Sequence, residues 1–295
     1  MEIRVLRYFL AVAREGNMTR AADYLHVTQP TLSKQIKQLE EEVGKKLFIR
    51  SNYSIKLTEE GMLLRKRAED IIKMVDKTMD EFRCLDEING GDIYIGGAES
   101  DAIKYFVWAA KNLHEKYPNI RFHLYSGNTE NIGEKLDKGL LDFGIIVQDV
   151  DLSKYNYLKV PSTDKWGALM RKESPLANKE SITIDDLLKL PLIVSRQGIK
   201  EDYPKWFGEK IDQLNIVATY DLVYNASIMV KKGFGYALSF DHLVDTSQES
   251  ELCFRPLSPT LETSMYVIWK KYQVFTPLAE LLLKELQTLF SNGSI

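Results

Sequence analysis

Cysteine is almost missing from this 295-residue chain: only Cys84 and Cys253 occur, far apart, neither with a Cys or His neighbour at two to four residues. That excludes a disulfide framework and a cysteine-based zinc site, and it suits a reducing cytoplasm. Long apolar runs are missing too, since none approaches the roughly 20 residues that cross a bilayer. The N-terminal patch in "RYFLAVAREG" holds six apolar residues inside a continuing helical pattern, so neither an export signal nor a membrane partner is expected. The four histidines, His26, His114, His123 and His242, show no metal-ligand spacing. His123 alternates within a strand and reads as a sheet-face residue.

Catalytic signatures are equally scarce. There is no Gly-x-Ser-x-Gly elbow, no Walker phosphate loop and no His-Glu-x-x-His. "GFGYAL" follows a helix and leads into a strand, the reverse of a dinucleotide fingerprint. Asp185-Asp186 sit at a helix start, where they complement the dipole. An enzyme is therefore not expected, nor any cofactor or metal.

What is present is an uneven charge. Residues 1–67 hold 13 Lys and Arg against 8 Asp and Glu, while the remainder holds 26 against 34. A basic head on an acidic body suits a head that meets a polyanion.

The head opens with Val5, Leu6, Phe9, Leu10 and Ala13 at helical spacing, predicting a helix over about 2–15 that ends at Gly16-Asn17. Thr19 is the expected N-cap of a second helix, with Ala21, Ala22 and Leu25 inward. His26-Val27 forms a turn. Thr28 caps a third helix, and Pro30 in its first turn lacks an N–H that would be unbonded there in any case. Leu32, Ile36 and Leu39 fall on one face, leaving Gln29, Ser33, Lys34 and Lys37 on the other. Such side chains reach base edges and phosphates, and they begin at the end that a helix-turn-helix offers to the major groove. Two β-prone pieces, Leu47–Ile49 and Ser54–Leu57, flank "RSNY" and suit a hairpin wing, with Arg50 and Lys56 against phosphates.

These residues resemble the N-terminal domain of LysR-type transcriptional regulators. The likeness is carried by Ala21-Ala22, Thr28-Gln29-Pro30, Ser33, Leu39-Glu40, Gly44, Leu47-Phe48, Arg50 and Leu57-Thr58 with Gly61. It implies a DNA-binding set of Thr28, Gln29, Pro30, Thr31, Ser33, Lys34, Lys37, Arg50 and Lys56. Two departures stand out: the family often has Arg where Lys34 stands, and the wing turn here is Asn52-Tyr53-Ser54.

From Thr58 to about Glu87 no proline occurs. Leu64, Ala68, Ile71, Val75, Phe82 and Leu85 follow 3–4 spacing, predicting a helix of some thirty residues with one apolar seam. In the resembled family this helix pairs two subunits, which assigns Leu64, Ala68, Ile71, Val75 and Phe82 to dimerisation and places two heads on an inverted repeat.

Beyond Gly90-Gly91, strands and helices alternate, which predicts layered α/β structure with a mostly parallel sheet. The pattern restarts near "KWGALMR", and "MYVIWK" with helix 277–290 reads as a return to the first lobe. The expected fold is α/β with a helix-rich head: a winged helix-turn-helix (1–58), a linker helix (59–88) and a two-lobed periplasmic-binding-protein-like domain (89–295). Lobe I takes about 89–161 and 266–295, lobe II about 162–265. "KGLLDFGIIV" and "VKKGFGYAL" resemble recurring phrases of the family's regulatory half.

Ligands of open α/β sheets bind at the carboxyl ends of strands. Three loops fall there, "GGAESDA", "SGNTEN" and "VSRQGI", giving the effector candidates Ser100, Asn128, Thr129, Ser195, Arg196 and Gln197. Each Ser or Thr also reads as an ordinary N-cap. Arg196 suits a carboxylate effector, whereas Glu99 and Asp101 suit an amine. The resemblance implies a cytoplasmic regulator that binds double-stranded promoter DNA, itself (as dimer or tetramer) and a small effector, and it admits RNA polymerase as a further partner. The rival reading is a solute-binding protein without specific DNA recognition, which would need export.

Overall fold

The computed structural model describes residues 1–50, 54–83, 90–147 and 153–291, with the side chains of Arg50 and Arg83 outside that description. The chain forms two compact units, Met1–Phe82 and Arg83–Ile295.

The first unit begins with α1 (Ile3–Glu15), which ends where Gly16 takes a left-handed φ of 58°. Next comes α2 (Met18–Tyr24), capped by Asn17 rather than by the expected Thr19. The Asn17 side chain accepts from the N–H groups of Thr19 and Arg20. Thr28 caps α3 (Gln29–Val43), with Pro30 in the first turn as expected. Phe9, Ala21, Leu32, Ile36 and Leu39 are fully or almost fully buried in one core. Ala21 and Ala22, both buried there, leave room for the helices to cross closely.

Glu40 is a buried polar residue of this unit, 4% exposed. Its carboxylate accepts from the N–H of Leu47 (2.9 Å), the N–H of Phe48 (3.3 Å) and Lys46 Nζ (3.0 Å), tying α3 to the wing. Burial alone would raise its pKa, but these donors together hold it below the ordinary glutamate value.

The wing pairs β1 (Phe48–Arg50) with β2 (Ile55–Leu57) antiparallel, Ile49 opposite Lys56. Asn52 and Tyr53 lie outside the described residues. Gly61 opens α4 (Glu59–Arg83) against the wing, and a Cβ there would lie 2.2 Å from the Leu47 carbonyl oxygen, so only glycine fits. On α4, Ala68 is buried in the head's own core, and Leu64 and Ile71 pack against it. Val75 is half-buried, while Met79 and Phe82 are exposed. The lower half of the seam therefore serves its own head, and only the upper half stays open. Cys84 and Leu85 lie outside the described residues.

The second unit starts with three parallel strands, β3 (Gly91–Gly97), β4 (Ile120–Ser126) and β5 (Phe143–Val147). They are linked by α5 (Ile103–Lys116) and α6 (Thr129–Asp137). The long β6 (Tyr155–Arg171) then leads out of this lobe. Lobe II adds α7 (Ile184–Leu187), β7 (Leu192–Ser195), α8 (Arg196–Lys200), α9 (Asp202–Phe207), β8 (Ile216–Tyr220), α10 (Val223–Lys231), β9 (Tyr236–Phe240) and β10 (Leu252–Pro256). The return strand β11 (Glu262–Lys270) leads to α11 (Pro277–Ser291). The sheet order is β4-β3-β5-β11-β6-β9-β7-β8, with β10 also on β6.

Both β6 and β11 pass through both lobes. They pair antiparallel from Glu262↔Lys165 to Lys270↔Tyr155, with an irregularity between Ser264 and Tyr266. In lobe I, β11 also pairs with β5; in lobe II, β6 pairs with β9 and β10. Two crossing strands thus join the lobes. His123 stands on the β4 face as expected, stacked on Tyr94 with ring centroids 4.6 Å apart.

Candidate functional site

At the N-terminal end of α3, Thr28 Oγ accepts from the Thr31 N–H at 3.4 Å and lies 2.8 Å from the Thr31 hydroxyl. Gln29, Pro30, Thr31, Lys34 and Lys37 are exposed, and Ser33 is half-buried. Lys37 faces Glu41 at 3.5 Å in an exposed pair, a contact weak enough to yield to a phosphate. Lys56 is exposed on the wing. The helix dipole adds positive potential at the same end. One protruding helix end therefore gathers amide, hydroxyl and ammonium donors.

In the second unit the carboxyl ends of β3, β5, β7 and β8 converge between the lobes. There they line a small, half-open cavity of ≈ 40 Å³. Ala98, Val147, Trp166, Val223, Phe240 and Leu243 form its apolar walls, and Glu99, Asn128, Ser195, Gln197, Tyr220 and Asp221 its polar ones. A larger groove of ≈ 680 Å³ shares Asn128, Gln197 and Asp221 with it, and is further lined by Thr129, Arg196 and Lys200.

The six expected effector residues divide into two groups. Asn128, Thr129, Ser195, Arg196 and Gln197 line one or both spaces. Ser100 lines neither: it is 4% exposed, donates to Asp164 Oδ2 at 2.6 Å and accepts from the Ala102 N–H at 3.0 Å. The expectation of a ligand-facing Ser100 hydroxyl gives way to an internal one. Asp164 itself is pushed up to about 6, chiefly by burial, against the opposing hydrogen bond from Ser100. Asn128 and Ser195 are also N-caps, of α6 and α8.

Several contacts cross between the lobes, among them Asn128 Nδ2 to Asp221 Oδ1 at 3.5 Å and the exposed Lys200–Glu130 pair at 3.5 Å. Gln197 Nε2 donates to Thr129 Oγ (2.7 Å) and to the Val147 carbonyl (3.1 Å), while its Oε1 accepts from the Thr129 N–H (3.3 Å). From the other side, Glu99 of lobe I accepts from the Val223 N–H at 2.5 Å. The N-cap of α10 is Leu222, which has no side-chain acceptor, so Glu99 supplies the cap from across the cleft. Burial raises the Glu99 pKa, and the Val223 N–H opposes that rise.

Arg196 is held by Asp221 at 2.6 Å and by the Thr219 hydroxyl at 3.2 Å. Sequence reasoning missed Asp221, Tyr220, Trp166, Phe240 and Leu243. Tyr220 and Asp221 close strand β8 at its carboxyl end, so the rule that selected the other loops could have selected them.

Comparison with known proteins finds matches for both units. Residues 3–62 match the family model described as "Bacterial regulatory helix-turn-helix protein, lysR family", and residues 89–291 match "LysR substrate binding domain". The HTH-type transcriptional regulator AlsR of Bacillus subtilis (strain 168) is 31% identical over 211 residues, covering 72% of this chain and 68% of that protein. The DNA-binding transcriptional dual regulator OxyR of Escherichia coli (strain K12) is 30% identical over 199 residues, covering 67% and 65%. In fold, the chain is similar to full-length CbnR crystallised with its target DNA, with a TM-score of 0.76 and 19% identity over 98% of this chain and 100% of that one.

Proposed function

The chain belongs to the LysR family of DNA-binding transcriptional regulators with an effector-binding domain, and from that premise we propose how its own residues divide the work. The N-terminal end of α3 enters the major groove. Gln29 reads a base edge, Ser33 and Lys34 make adaptable contacts, and Thr28, Thr31, Lys37 and the wing residues Arg50 and Lys56 hold phosphates, with Pro30 fixing the entry of the helix. The observation that carries this reading is the exposed donor set at that helix end, on a basic head. The fold's likeness to a regulator crystallised on its target DNA supports it.

Val75, Met79 and Phe82 on α4 pair two chains and place two heads on an inverted repeat. A second contact between dimers fits the exposed apolar residues of lobe edges: Val107, Leu124 and Tyr125 on one, Ile216, Tyr224 and Ile228 on the other. The effector sits in the interlobe cleft among Asn128, Thr129, Ser195, Arg196 and Gln197. It acts by favouring one lobe arrangement over another, since only differential affinity shifts such an equilibrium. The work is done in the cytoplasm, with RNA polymerase as a downstream partner; among the described residues no helix is long and apolar enough to cross a membrane.

The test is selection of fragmented genomic DNA by the full chain at near-physiological salt. Recovery of a few fragments sharing an inverted repeat is the expected result. Uniform retention that collapses steeply with salt would instead mark purely non-specific binding and overturn the reading.

A further inference from the structure

The inner cavity has a one-sided charge. Among the described residues its lining includes two carboxylates, Glu99 and Asp221, and no Lys, Arg or His. Of the two cations that line the outer groove, Arg196 is engaged by Asp221 and Lys200 by Glu130. The donor that would receive an anion, the Val223 N–H at the start of α10, is already bonded to Glu99 Oε2. Glu99 Oε1 has no hydrogen-bond partner among the described residues.

We propose that this cleft is built for a small primary amine, its ammonium group held in the inner cavity against Glu99 and its carbon tail leading out past Gln197 into the outer groove. The proposal rests on reading the cleft as the effector site, and adds the ligand's charge and orientation. Three physical arguments carry it. An anion would meet a half-buried carboxylate of like charge, with its natural helix-end donor occupied. A neutral ligand would strip water from Glu99 and leave the charge without a counter-ion, which is costly in an apolar setting. An ammonium satisfies Glu99 Oε1, and the Trp166 and Phe240 rings in the wall are a favourable lining for a cation. Size agrees as well. The inner space of ≈ 40 Å³ exceeds the roughly 10–15 Å³ that one water needs, so an ammonium group fits. The outer groove of ≈ 680 Å³ then accommodates the tail.

The experiment uses the full chain and three four-carbon probes of matched shape: butylammonium, butyrate and butanamide, each at millimolar concentration. Melting temperature and tryptophan fluorescence report binding. Butylammonium should raise the melting temperature and perturb the Trp166 emission, with butyrate and butanamide inert. Glu99→Gln should weaken butylammonium binding by at least about tenfold, the loss expected when one partner of a buried charge pair is removed. Arg196→Gln, which releases Asp221, should tighten it, whereas it would weaken a carboxylate effector. This second variant keeps the test open if Glu99→Gln folds poorly.

Stabilisation by butyrate, or by no ammonium probe, overturns the charge assignment and leaves the cleft as effector site intact. Butylammonium binding that survives Glu99→Gln and leaves Trp166 emission unchanged places the amine elsewhere, and counts against the cleft reading itself.

Discussion

Single residues of like chemistry carry different work here according to burial. Gln29 and Lys37 both stand exposed on α3. Gln29→Ala should relax preference at one base pair by about 1–3 kcal/mol, read by binding to a panel of site variants. Lys37→Ala should weaken binding to all sequences alike and reduce the salt slope by about 1. Equal loss on every sequence for Gln29→Ala would remove its base-reading role. Glu40→Ala strands two buried backbone N–H groups, and should destabilise the head by about 2–4 kcal/mol in urea titration. Asp164 behaves oppositely. Its folded pKa of about 6 lies above the ordinary 3.8, so the folded state holds its proton longer than the unfolded one. Its contribution to stability therefore falls as pH rises from about 4 to about 6, then stays level. Asp164→Asn should thus gain on the parent across that window, by up to about 3 kcal/mol, measured as melting temperature against pH.

Elements were legible where a period was sustained and obscure where a partner decided. The stripe of Leu32, Ile36 and Leu39 fixes α3 from the sequence, because a 3.6-residue repeat needs no tertiary knowledge. The first half of β6, "YNYLKVPSTD", was not legible as strand: Pro161 interrupts it, and its pairing comes from β11, about a hundred residues later. β10 and α8 were not read from the sequence. Asn17 displaced Thr19 as a cap because either residue suits the role and only the local turn chooses. At the cleft, five of six expected residues arrive at the lining, but the direction of Ser100 depends on Asp164, which no local pattern announces. On α4 the sequence shows one seam, and the structure divides it at Val75. Met79→Ser with Phe82→Ser should raise the dimer dissociation constant by tenfold or more, given about 1.5–3 kcal/mol for each buried apolar side chain. Sedimentation equilibrium reads the result, and an unchanged dimer would place the interface elsewhere.

At the level of the whole molecule, ligand response depends on how firmly the lobes are held together. Gln197 makes three of the hydrogen bonds that cross the cleft. Gln197→Ala should loosen it without unfolding either lobe. Amide exchange at Thr129, whose N–H donates to Gln197, should accelerate by about tenfold, while the β3 core is unaffected. Uniform acceleration throughout the unit would instead mean general destabilisation.

The two crossing strands carry a consequence for how such a protein can be rebuilt. Lys165 and Glu262 are rung partners on β6 and β11, so the chain enters and leaves lobe II at neighbouring points. Lobe II is in effect an insert with a narrow neck. A chimera that exchanges residues 166–261 for the matching stretch of another regulator joins on the same rungs, and keeps half of the cleft, Glu99 and Thr129 included, from this parent. Ligand preference then becomes a matter of recombination as much as of point change, with one face inherited from each side.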